Sequence, residues 1–124
     1  EKSDSLNIII VRKRTPLMLQ FDRMRCDMRK IKVDDYDLKV IINGIYQMRT
    51  KYSAEKRNQV DDVILSIVAI YEQMKHGKKK RIPFETNAIN TICLCLIDWR
   101  NEKIASGEDV AVEVINDMLI LFSE

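Results

Sequence analysis

Two stretches of this chain can be laid over one another without a gap. KIKVDDYDLKVIINGIYQMR, starting at Lys30, and RIPFETNAINTICLCLIDWR, starting at Arg81, are offset by 51 positions. Under that offset Ile31 falls on Ile82, Val33 on Phe84, Leu38 on Ile89, Ile41 on Ile92, Ile42 on Cys93, Ile45 on Leu96, Met48 on Trp99 and Arg49 on Arg100. The register runs on through Ile64 on Ile115, Ile67 on Met118, Val68 on Leu119 and Tyr71 on Phe122. A shared helical period produces some apolar coincidence by itself. The punctuation agrees too: Asp35 falls on Thr86 and Asn58 on Asp109, all residue types that accept hydrogen bonds from the free N–H groups of a helix start.

Each unit reads as a short extended lead, a helix, a tight turn and a second helix. In the first unit Asp35 is the expected cap of a helix carrying Leu38, Ile41, Ile42, Ile45, Met48 and Tyr52 on one face. Asn58 is expected to open the next helix, with Asp61 and Asp62 in its first turn and Gly77 as its stop. The second unit repeats the plan, with a helix over 86–105, a stop at Gly107 and a last helix led by Asp109. Asn43 and Gly44 interrupt the first helix's apolar run, which points to a close helix approach there.

One hairpin cannot bury both of its apolar faces. The expected fold is therefore mainly α: two tandem helical hairpins, readable as a diverged duplication, packed as a four-helix bundle with an N-terminal strand or arm and an additional helix. In a single domain spanning 1–124, residues 1–29 form the arm and helix, 30–76 the first unit, 77–80 a basic joint and 81–124 the second unit. Hydrophobic residues at 46%, charged residues at 32%, three Gly and two Pro favour compact helix over disorder.

The first third allows two readings. Thr15 as cap, Pro16 at the first helical position, and Leu17, Phe21, Met24, Met28 and Ile31 at helical spacing give the preferred helix. Alternation of Leu17, Leu19 and Phe21, then Met24, Cys26 and Met28, fits a β-hairpin over 6–33, which would make the fold α+β.

Charge is uneven beneath a net +2: residues 1–32 carry +5, 33–74 carry −2, 75–81 carry +5 and 82–124 carry −6. Arg12, Lys13, Arg14, Lys75, Lys78, Lys79, Lys80 and Arg81 are the candidate contacts to an anion or nucleic acid, since lysines neutralise phosphate without reading sequence. Aromatic residues at 6% leave few stacking platforms, and no helix-turn-helix signature stands in either unit. Ile8, Ile9, Ile10 and Val11, an apolar arm, are candidate protein-interface residues together with Arg49 and Arg100, equivalent arginines placed to grip an acidic partner.

No catalytic constellation stands out, and no cofactor or metal is expected. His76 is the lone histidine, Cys26, Cys93 and Cys95 read as reduced packing thiols, and Asp34, Asp35 and Asp37 sit where a helix cap and first turn belong. The apolar runs are too short to span a membrane, and Ile8–Val11 is too brief for a signal peptide's core, so a cytoplasmic setting is expected. The expected function is that of a small non-enzymatic intracellular protein acting through macromolecular binding. A protein partner comes first, as adaptor or regulator and including a second copy; the alternative is nucleic acid, held on its phosphate backbone by the basic arm and joint.

Overall fold

The computed structural model describes residues 28–123. They form, in order, strand β1 (Met28–Val33), helix α1 (Asp35–Met48), a 3-10 turn (Arg49–Lys51), helix α2 (Ala54–Glu72), strand β2 (Lys80–Glu85), helix α3 (Thr86–Ala105) and helix α4 (Asp109–Ser123). The described part is mainly helical, with four helices and one two-stranded antiparallel sheet. The expectations for the arm at Ile8–Val11 and for Arg12, Lys13 and Arg14 lie outside the described residues.

The helix expected to reach Ile31 does not do so: Met28–Val33 is strand. The cause is the period of its sequence, in which Lys30 and Lys32 stay exposed while Ile31 and Val33 are buried, an alternation that only an extended chain produces. Its partner among the described residues is β2, some fifty residues away; the rest of the β-hairpin reading over 6–33 lies outside the described residues. Met28 lies opposite Glu85, Ile31 opposite Ile82 and Val33 opposite Lys80. The pair near the middle, Ile31 and Ile82, is also a pair that the 51-residue offset superimposes.

The helix ends correct three expectations. The cap of α1 is Asp34, not Asp35: its side chain accepts the Asp37 N–H at 2.8 Å, while the Asp37 carboxylate accepts the Asp34 N–H at 3.1 Å, a reciprocal capping box. Ser53, not Asn58, caps α2, accepting the Lys56 N–H at 3.4 Å, so Asn58 lies more than a turn inside the helix. Gly77 does not stop α2, which is over by Glu72; the glycine lies beyond it at φ +74° in the following turn. Gly107, at the same φ, does the work expected of it. Its N–H reaches the Ile104 carbonyl at 3.1 Å and the Glu108 N–H reaches Lys103 at 3.0 Å, both bonds of a Schellman closure of α3.

Helix α1 packs on α2 and α3, and α3 packs on α4. Leu38, Ile41 and Ile45 of α1, Ile92 and Leu96 of α3 and Ile115 of α4 are fully buried, each stabilising the fold by about 1.5–3 kcal/mol. The inner face of the sheet closes this core with Ile31, Val33, Ile82 and Phe84, and the Phe84 ring meets Phe122 edge-on at 5.6 Å. Arg29 secures the same corner by donating to the Phe122 carbonyl at 3.0 Å. Across the molecule the Tyr52 hydroxyl donates to Asp98 at 2.6 Å, tying the end of the first hairpin's turn to α3. Burial, and then that carboxylate, push the Tyr52 hydroxyl pKa far up.

The close approach read from Gly44 is filled by Trp99. A Cβ at position 44 would overlap the six-membered ring of that indole. The indole Nε1 is buried with no hydrogen-bond partner among the described residues, so this ring is held by shape at some cost in polar satisfaction. Helix propensity alone would make Gly44→Ala stabilising by about 1 kcal/mol. Overpacking against Trp99 reverses the sign, and urea denaturation of Gly44→Ala should show a loss of about 1–3 kcal/mol. Adding Trp99→Leu to that variant should recover part of the loss beyond the sum of the single changes.

Candidate nucleic-acid interface

Because Ile31, Val33, Ile82 and Phe84 point into the core, the residues alternating with them form the outer face of the ribbon. Lys30, Lys32, Arg81 and Pro83 are all exposed there. The register sets Lys32 directly opposite Arg81 and Lys30 directly opposite Pro83. Three cations thus share one narrow strip whose strands are about 4.8 Å apart, with the Met28–Glu85 pair at its end placing one carboxylate on the same face. Lys80, exposed at the end of β2 opposite Val33, extends the positive field toward the joint.

The joint itself is docked rather than free. The Asp35 carboxylate accepts the Gly77 N–H at 2.9 Å and lies 2.8 Å from His76 Nδ1, and the Lys79 ammonium donates to Asp37 at 3.2 Å. Asp34, Asp35 and Asp37 therefore divide the labour: one caps α1, one holds the turn, and the third completes the cap and neutralises a lysine. This capture also accounts for the early end of α2, since the chain past Met74 is drawn across to the start of α1. Lys75, Lys78 and Lys80 remain exposed, while Lys79 is partly occupied.

The remaining candidates go elsewhere. Arg49 is clamped inside its own hairpin by Asp61, with Nε to Oδ1 at 2.6 Å and Nη2 to Oδ2 at 2.8 Å; this fork holds the Asp61 carboxyl below its usual range. Arg100 reaches Asn116 at 3.4 Å, and its Nε is buried without a partner among the described residues. The two arginines are equivalent in sequence and differ in surroundings. Burial raises the thiol pKa of Cys93 and Cys95 above the ordinary cysteine value. No group of residues able to hold a metal ion occurs among the described residues, and no helix there is long and apolar enough to cross a membrane. A groove between α2 and the start of α3 is lined by Asp62 and Glu85 beside Gln59, Ser66, Asn87 and Thr91, a lining that disfavours anions.

Lys80 and Arg81 were named from the charge run. Lys30 and Lys32 were not, although part of the signal was present: K-I-K-V alternates cationic and apolar residues, which assigns Lys30 and Lys32 to the face opposite Ile31 and Val33, whereas in R-I-P-F the outward Pro83 is itself apolar. Comparisons with protein families, with curated proteins and with solved structures find no match to this chain.

The docking of the joint is pH-dependent in a definite direction. The Gly77 N–H, then His76, hold the Asp35 pKa below its ordinary 3.8. The contact is fully present above 3.8 and is lost as pH falls through the lowered value. In an NMR titration the Gly77 amide proton should therefore move with a midpoint below 3.8, and Asp35→Asn should remove that transition.

Proposed function

We propose that this chain is a non-enzymatic binding protein whose partner is double-stranded DNA, entered through the major groove by the β1–β2 ribbon. The observation that carries this reading is the outer face of the ribbon, where Lys30, Lys32 and Arg81 project from a two-stranded antiparallel sheet over an apolar underside. A B-form major groove about 12 Å wide admits a two-stranded ribbon, and its floor presents guanine O6 and N7 to Lys and Arg. Lys75, Lys78 and Lys80, exposed in and beside the joint that leads into β2, supply phosphate contacts, which position the protein without reading bases. Behind the ribbon the two units, related by the 51-residue offset and taken as a diverged duplication, form one four-helix body that holds the strands in register.

A protein partner, the first expectation from sequence, keeps one supporting observation: Leu94, Ile104, Val110 and Ile120 are half or more exposed on α3 and α4, the acidic side of the chain. These residues lie on helices and not on the strands, so a protein contact through them is compatible with DNA on the sheet. The setting remains the intracellular one expected from sequence.

Fluorescence anisotropy with a short labelled duplex tests the DNA reading. Affinity should fall with salt at a log–log slope of about −0.9 per phosphate engaged. Lys30→Ala and Arg81→Ala should each weaken binding about 10-fold on a preferred sequence. Lys78→Gln with Lys80→Gln should weaken all duplexes alike and flatten the salt slope by about 1 per residue. No binding at low salt ends this reading, and an RNA duplex should compete poorly because its A-form major groove is too narrow for a ribbon.

A further inference from the structure

The outer face of the ribbon is not the same on its two halves. The register pairs Ile31 with Ile82, and the 51-residue offset superimposes the same two residues, so a local two-fold axis passes through that pair. Lys30 and Arg81 are related by this axis and lie diagonally across it, both cationic and both exposed. The other two outer residues flanking that pair are Lys32, directly opposite Arg81, and Pro83, directly opposite Lys30; they too are related by the axis, at the same distance from it, and here the symmetry fails. One side carries an ammonium on a flexible stem, the other a ring with no hydrogen-bonding group.

Resting on the DNA reading above, we infer that the target is a non-palindromic duplex site whose asymmetry is set by Lys32 and Pro83. Lys30 and Arg81 each address a guanine, one on either side of the local axis, because both cations donate to O6 and N7. Lys32 addresses a further base on its own side only. Pro83, opposite Lys30, has nothing to donate and offers an apolar surface that suits a thymine methyl or tolerates any base. A ribbon assembled from two copies of one strand would present identical halves and read a palindrome. Here both strands belong to one chain, and each outward position is free to differ from its mate.

Selection from a random duplex library, followed by sequencing, tests this directly on the full chain. The expected motif has guanine preferences on both sides of its centre and a third strong position on one side alone. Lys32→Gln should erase that third preference and leave the other two, with affinity for the selected site falling about 10-fold and affinity for other duplexes little changed. Pro83→Lys, an exposed substitution on the same face, should convert the selected motif toward a palindrome. A palindromic motif from the unaltered chain, or retention of duplexes with no sequence preference, overturns the inference while leaving DNA binding intact. Absence of any retained duplex overturns both.

Discussion

Everything described here depends on the pairing of β1 with β2. Neither strand has a neighbour of its own unit to pair with, and a two-stranded ribbon is marginal in water unless one face is packed. The helices supply that packing by burying Ile31, Val33, Ile82 and Phe84. In return the ribbon closes the molecule: it spans from the first described residues to the start of the second unit, and its inner face reaches α4 through the Phe84–Phe122 contact. Closing a loop of some fifty residues is entropically costly, but the cost grows only with the logarithm of loop length. A handful of buried β-branched and aromatic side chains offsets it.

The helical part of the fold was legible because periodicity is a local signal. Leu38, Ile41, Ile45 and Met48 on α1, and Ile89, Ile92, Leu96 and Trp99 on α3, were assigned to one face from spacing and are buried together. Helix ends were less legible for a physical reason. Asp34, Asp35 and Asp37 all have the chemistry of a cap, and only the reciprocal bonds between Asp34 and Asp37 decide among them. The end of α2 was misplaced because Asp35, forty residues earlier, takes hold of Gly77 and draws the chain away. Tertiary capture of this kind leaves no trace in the local pattern.

The candidate site shows the same division. A run of charge identified Lys78, Lys80 and Arg81, and the overlay of the two units gave each an extended lead before its first helix. The two signals could be joined only by knowing that the leads pair with each other, which places Lys32 against Arg81. The acidic cluster also changes meaning once seen in place. Its carboxylates hold the joint and one of its lysines against the start of α1, so the joint is a docked segment rather than a loose loop.

The segment between Glu72 and Lys80 has one further consequence. Because it links the two units covalently, each strand meets the other at an effective concentration in the millimolar range, whatever the abundance of the chain in solution. The ribbon therefore exists in every folded molecule. A protein present in only a few copies would lose none of it to dissociation, and its occupancy of a target would follow copy number in direct proportion instead of passing through an assembly threshold.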